Sequence, residues 1–353
     1  MRVAFIDTSG IVYNEDTPLV KPLGGTESAV CFLSKALKSK IDESTIINVN
    51  TSTEELEAKS YENINSYDIA VVISRPVECL KLRRRYGFKG KIIYWTGESY
   101  DQPVNRFLSD VDVVNSIDKA VFLTHWHKAN MIMHFPMIKH RSTVIRYGLN
   151  NTFRDITDMQ KEPLMVYIST PYRGLEVLLE AFPLIKQEVP YARLEIYSGM
   201  NLYSRDEQDI KFQRLYDGAR QMEGVTYSPA IDQTTLANKM SKAAIFSYPC
   251  IYEETFCTAL INAMSAGCYP ILSTLGPLPE VSLGFGRTVN IKKYTNPQEF
   301  VVNYANECIT AFRHFEAGED SLTKEIQYMV STVRDYYRWE YVSEEWLNLF
   351  SRL

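Results

Sequence analysis

Residues 249–270 read PCIYEETFCTALINAMSAGCYP. At about 100° per residue, Phe256, Ala259, Leu260, Ala263 and Met264 fall on one stripe, the spacing of a helix pressed onto a core. Glu254, Thr258, Asn262 and Ser265 collect on the opposite side as an acid-tipped polar row. An ordered polar row on a buried helix implies something polar in front of it: a ligand, water or another domain. Plain solvent exposure of an amphipathic helix explains the row equally well.

Apolar runs flank this segment at 244–248 and 269–272, and the same alternation of strand and helix continues in both directions. Towards the N-terminus it includes strands at 164–168, 193–197 and 225–227, with helices at 175–186, within 206–222 and at 234–242. Beyond a polar stretch at 150–162, a separate series begins with the apolar run 1–6 and a helix over 28–40. It continues through strands at 45–49, 69–74, 91–95, 120–124 and 143–147, with helices at 77–86 and 125–133. Residues 300–312 and 324–353 read as helical. Two successive βα series predict an α/β chain of two doubly wound, Rossmann-like parallel-sheet domains facing across a cleft. The expected boundaries are 1–155 and 156–336, with a last helix at about 337–353 returning to the first domain.

The 353 residues suffice for two cores, and 45% hydrophobic with 23% charged residues is an ordinary globular composition. A net charge of −5 argues against a nucleic-acid binder working through its overall field. The short run Lys81, Arg83, Arg84, Arg85 reads as the solvated side of a helix, with an anionic acceptor or acidic lipid as the other reading. The six cysteines show no CxxC pair or metal-ligand spacing, no secretion signal opens the chain, and no apolar run reaches bilayer length. These features predict reduced, buried thiols in a cytoplasmic protein without a transmembrane segment; peripheral membrane contact and a homodimer stay open.

There is no GxGxxG after the first strand, no GxxxxGK[ST] and no GxSxG. Asp110-Val111-Asp112 has the form of a metal-binding DxD, but it sits between a helix and a strand, away from a strand end. His125 and His127 stand two apart on a helix start and so do not face one another, which speaks against zinc. No metal site is expected. Gly24 and Gly25, directly before a helix, would let its amides approach an anion, although a tight turn explains them equally. Ser169-Thr170-Pro171-Tyr172-Arg173-Gly174 occupies the equivalent strand-loop-helix place in the second series, where Arg173 can give a diphosphate two charge-assisted hydrogen bonds.

Taken in order, these pieces resemble the retaining glycosyltransferases of family 4, which have the two-domain GT-B fold. The resemblance rests on Gly24-Gly25-Thr26-Glu27, on the strand and turn from Tyr167 to Arg173-Gly174, and on Glu254-Thr255-Phe256 leading to Ala263-Met264-Ser265-Ala266-Gly267. Residues 276–280 and the tail at 339–353 are similar to the family's next loop and final helix. The resemblance implies that Glu254 contacts the donor sugar and that the amides of Thr255, Phe256 and Cys257 meet its hydroxyls or the diphosphate. Arg173, Gly25, Gly24 and Ser169 would complete the donor site. At about 1.5 Å per helical residue, Glu254 and Asn262 would stand about 12 Å apart, the span from sugar to ribose.

The chain departs from the family pattern twice. The second glutamate, eight residues on, is Asn262, which can hydrogen-bond a ribose without supplying charge. The His-Asp pair of some relatives is replaced by Gly97-Glu98 after Trp95-Thr96, so Glu98 is the nearest carboxylate for an acceptor proton.

The implied activity is metal-independent, retaining transfer of a hexose from a nucleotide diphosphate sugar of the GDP-mannose or UDP-glucose type. The acceptor would be a hydroxyl of a glycan, lipid or protein, and no cofactor is required. Catalysis would fall to Glu254, Arg173 and Glu98. A sugar-nucleotide epimerase of GT-B fold and a non-catalytic nucleotide-sugar-binding protein remain open alternatives.

Overall fold

The computed structural model describes residues 1–203 and 206–353. Among these, the strands form two six-stranded sheets in which every pairing is parallel. The first holds β1 (Arg2–Asp7), β2 (Glu43–Asn48), β3 (Ile69–Ile73), β4 (Lys91–Trp95), β5 (Lys119–Phe122) and β6 (Ser142–Val144), in the order β2-β1-β3-β4-β5-β6. The second holds β7 (Glu162–Ile168), β8 (Arg193–Tyr197), β9 (Val225–Ser228), β10 (Ala243–Tyr248), β11 (Tyr269–Ser273) and β12 (Arg287–Val289), in the order β12-β11-β10-β7-β8-β9. The expected α/β architecture of two Rossmann-like parallel sheets is thus present.

The apolar runs become strands because crossover helices cover both faces of a parallel sheet, so inner strands need no polar side. β3 (IAVVI) and β10 (AAIFSY) are buried along their whole length. Around the first sheet, Ile6, Val72, Ile92 and Phe122 share a core with Cys79, Leu82, Val113 and Met131 from covering helices. The strand order reverses direction between β1 and β3 in the first sheet and between β7 and β10 in the second. Ligands of open α/β sheets bind outside the carboxyl ends of the strands at such switch points.

The chain divides into two compact units. The first comprises Met1–Thr17, Gly25–Gly148 and Trp339–Leu353, and the second Pro18–Gly24 and Leu149–Arg338. Residues 324–353 are therefore not one helix. A helix Asp320–Tyr336 ends at Tyr337, whose carbonyl accepts from Leu149 N at 2.6 Å and whose phenol donates to the Val281 carbonyl at 2.9 Å. A separate helix Trp339–Phe350 then belongs to the first unit. There Trp346 packs edge-on against Trp95 with centroids 4.9 Å apart, and Lys40 Nζ donates to Ser343 Oγ at 2.9 Å. A Cβ on Gly148 would lie 2.4 Å from the Trp339 ring, so only glycine leaves room for that indole.

The six cysteines are buried and free. No helix among the described residues is long and apolar enough to cross a membrane.

Candidate functional site

At the switch point of the second sheet, the loops after β7, β10 and β11 meet. β7 ends at Ile168 and gives way to Ser169, Thr170 and a tight turn Pro171–Arg173, after which Gly174 opens the helix Leu175–Glu188. Gly174 has φ of +117°, and a Cβ there would lie 2.3 Å from the Pro249 carbonyl oxygen. The glycine is thus required twice, for its left-handed backbone and for the close approach of the β7 loop to the β10 loop. From the far side, Gly276 in the loop after β11 lies so close to Glu254 that its Cβ would be 3.2 Å from the Glu254 carbonyl oxygen. Ser273 Oγ adds a 2.6 Å hydrogen bond to the Cys250 carbonyl.

These loops bring Arg173 and Glu254 together. Arg173 Nη1 stands 3.1 Å from Glu254 Oε1, and only 6% of the glutamate side chain is exposed. Tyr248, the last residue of β10, donates its phenolic proton to the same Oε1 at 2.5 Å. Ser169 Oγ lies 3.1 Å from Tyr248 Oη. Because the phenol proton is directed at the carboxylate, the serine hydroxyl is the donor in that contact. Burial, then the neighbouring Cys250 and Glu254 charges, raises the Tyr248 pKa well above its ordinary value, so it remains a donor. The Arg173 guanidinium carbon lies 5.6 Å from the Tyr172 ring centroid and 5.1 Å from that of Tyr252. Each such cation–π contact contributes about 0.5–1 kcal/mol at exposed sites and more where water is excluded.

The helix that follows is shorter than its sequence periodicity predicts: it runs Thr258–Ser265, with Cys257 at its N-cap. Glu254 lies in the preceding loop, so the 1.5 Å helical rise does not measure its separation from Asn262. The polar row is also not a single exposed face. Asn262 and Ser265 are both buried, and Ser265 Oγ donates to the Phe153 carbonyl at 3.2 Å, a packing role. Asn262 makes no side-chain hydrogen bond among the described residues. At the C-terminal end, Arg334 donates to the Ser265 carbonyl at 2.8 Å and Lys161 to the Ala266 carbonyl at 2.6 Å. Burial lowers the Lys161 pKa. Cations at this end complement the helix dipole and satisfy otherwise orphaned carbonyls, leaving the amide end beside Thr255, Phe256 and Cys257.

Ser169, Arg173, Thr255, Phe256, Cys257, Glu254 and Asn262 therefore all belong to the second unit, as does Gly24, whereas Gly25 and Glu98 belong to the first. Gly25 begins the helix Gly25–Leu37. Glu98 follows β4 in a loop tied down through its backbone. Its carbonyl accepts from Asn105 Nδ2 at 3.2 Å and from His127 Nε2 at 3.0 Å, while Leu123 N donates to His127 Nδ1 at 3.3 Å. These partners define a neutral imidazole, and burial lowers its pKa from 6.5 to about 4. A Cβ on Gly97 would lie 2.6 Å from Thr26 Oγ1 and 2.9 Å from Tyr147 Oη, so a side chain there would have to displace them.

The other sequence features are structural. Asp110 caps the helix Val111–Ser116 by accepting from Asp112 N, and Asp112 pairs with Arg84 at 2.7 Å. Lys81, Arg83, Arg84 and Arg85 all have carboxylate partners, so the cationic run is largely neutralised. Tyr248, Tyr252 and His127 were not legible as site residues. The only sequence signal for Tyr248 is a tyrosine closing a buried strand, and for His127 a histidine three residues into a helix.

Residues 151–302 match the model of the family described as Glycosyl transferases group 1. No curated protein sequence matches the chain. Among solved structures, HepE of Anabaena in complex with UDP is similar at 14% identity and a TM-score of 0.73, each chain covered over 100%. Sucrose-phosphate synthase from Thermosynechococcus elongatus is similar at 15% identity, with a TM-score of 0.70 and coverage of 100% of this chain and 98% of that one. The catalytic domain of starch synthase IV from Arabidopsis thaliana, bound to ADP and acarbose, is similar at 13% identity, with a TM-score of 0.66 and 99% coverage of both. At these identities the likeness shows the fold, which is GT-B.

Proposed function

We propose that this chain is a glycosyltransferase that moves a hexose from a nucleotide diphosphate sugar to an acceptor hydroxyl, with retention at the anomeric carbon and without a metal ion. The observation that carries this reading is the Arg173–Glu254 pair, buried at the β7/β10 switch point within the span that matches the family. The similarity to HepE, seen with UDP-glucose, and to ADP-bound starch synthase IV favours a nucleotide sugar as donor.

In this mechanism the main barrier is the departing diphosphate. Arg173, set against the Tyr172 and Tyr252 rings, supplies fixed positive charge for it, and the amides at the start of the Thr258–Ser265 helix add partial positive charge. Preorganised donors of this kind contribute about 2.7–4 kcal/mol each to transition-state stabilisation. Glu254 accepts from hydroxyls of the transferred sugar, with Ser169 behind it, and Asn262 hydrogen-bonds the ribose as a neutral amide. Cys250 is pushed up to about 12 and Cys257 is raised, both chiefly by burial, so neither thiol is an ionised nucleophile at neutral pH. The resemblance to the retaining family implies front-face attack, with the leaving phosphate taking the acceptor proton.

The test is turnover of a nucleotide-sugar panel that includes UDP-glucose and GDP-mannose, with and without candidate sugar acceptors and a chelator. Chelator-insensitive transfer with retained configuration is expected. Conversion of the donor sugar without an acceptor would favour the epimerase reading, and binding without either reaction the non-catalytic one.

A further inference from the structure

The Glu254 carboxylate is held asymmetrically. Oε1 takes both the Tyr248 phenol at 2.5 Å and the Arg173 guanidinium at 3.1 Å, whereas Oε2 has no partner among the described residues. Tyr248 is wholly buried and receives the Ser169 hydroxyl at 3.1 Å, so Ser169, Tyr248 and Glu254 form a directed chain of hydrogen bonds running from β7 across to β10. A carboxylate held by an arginine alone could rotate and present either oxygen, since a guanidinium offers several equivalent donors. The phenol removes that freedom because its single proton, fixed by a strand-end backbone, has one direction.

We infer that Tyr248, backed by Ser169, is a positioning residue that commits Glu254 Oε1 and leaves Oε2 as the atom that accepts a hydroxyl of the donor sugar. The inference rests on the reading of Glu254 as the sugar contact. Tyr248 itself touches no substrate, and Arg173 remains available to the diphosphate whether or not Tyr248 is present. The two parts of the donor thus depend on different residues: the sugar on the chain of hydroxyls, the diphosphate on Arg173 and helix amides.

The experiment is calorimetric titration of UDP, UDP-glucose, GDP and GDP-mannose into the wild type, Tyr248→Phe, Glu254→Ala and the double variant, with thermal melting of each. Glu254→Gln replaces the alanine variant if the latter does not fold. Tyr248→Phe is expected to weaken the nucleotide sugar roughly tenfold, the scale of one misdirected hydrogen bond to a charged group, and to leave the nucleoside diphosphate unchanged. The double variant is expected to bind no worse than the Glu254 variant alone, because Tyr248 acts only through that carboxylate. Unchanged sugar-nucleotide binding in Tyr248→Phe, equal loss of diphosphate and sugar-nucleotide binding, or multiplying effects in the double variant would overturn the inference. If the Glu254 variant binds both ligand types as the wild type does, or the wild type binds none, the donor-site reading fails and the inference falls with it.

Discussion

The loops after β10 and β4 illustrate two ways of holding a glutamate at the carboxyl end of a parallel strand. In the second unit the side chain of Glu254 is gripped, by a cation and a phenol, and nearly all of it is buried. In the first unit it is the backbone of Glu98 that is gripped, by neutral Asn105 and His127, while its side chain is partly exposed. A buried charge needs a partner, so the Glu254 site is organised by electrostatics. The Glu98 loop is organised by shape and by satisfied carbonyls, with Thr26 and Tyr147 occupying the space in front of Gly97. Charge substitutions should therefore be felt chiefly in turnover at the Glu254 site, and packing substitutions chiefly in stability at the Glu98 loop.

The largest effect is expected for Arg173→Ala, which should lower turnover by about 10²–10³-fold, the range for loss of one preorganised donor. It also leaves Glu254 without its cation, at a stability cost of about 3–5 kcal/mol for breaking a buried pair. Comparing Arg173→Lys, which keeps the charge without the planar fork, separates the two effects; its melting temperature should stay close to wild type while turnover remains depressed.

Next comes His127→Ala, which leaves the Leu123 amide and the Glu98 carbonyl short of a partner and should cost about 3 kcal/mol by denaturant titration. The wild-type histidine also has a signature in pH. Its folded pKa, about 4, lies below its ordinary 6.5, so the folded state resists the proton that the unfolded state accepts. Its contribution is complete above pH 6.5, declines as pH falls through that window and levels off below about 4. At roughly 1.4 kcal/mol per unit, the loss is on the order of 3 kcal/mol, and His127→Ala should lack this component.

Gly97→Ala places a methyl group against Thr26 Oγ1 and Tyr147 Oη and should cost about 1–3 kcal/mol as an overpacking change, with partial relief in a Thr26→Ala background. The smallest effect is expected at Asp112→Asn. This carboxylate pairs with Arg84 at a half-exposed site, so stability should change by less than about 1 kcal/mol and turnover not at all. A large loss of activity there would restore the DxD as a metal-binding element and redraw the comparison.

The alternation of strand and helix was legible because parallel strands buried on both faces appear as short apolar runs, such as those that became β3 and β10. The short edge strand β12 was not, since it has only three residues, of which Val289 alone is buried and one is an arginine. Sequence periodicity starts the Thr258–Ser265 helix too early because residues 254–257 of the loop before it are as buried as the helix, and burial imitates periodicity. The break at Tyr337 was hidden for a related reason. Both flanking helices carry apolar stripes, Met329 and Val333 before it and Val342 and Trp346 after it, but the stripes serve different units and no glycine or proline marks the change. Arg173 and Glu254 could be picked out because charge beside a strand end is conspicuous in sequence. Tyr248 could not, because a buried aromatic at the end of a strand looks like core until its hydroxyl is seen to face a carboxylate.

A crystal structure of the chain with UDP or GDP tests the central claim most directly. The diphosphate is expected within hydrogen-bonding distance of the Arg173 guanidinium and the amides opening the Thr258–Ser265 helix, at the carboxyl ends of β7 and β10. A diphosphate bound elsewhere, with the Arg173–Glu254 pair untouched, would contradict it.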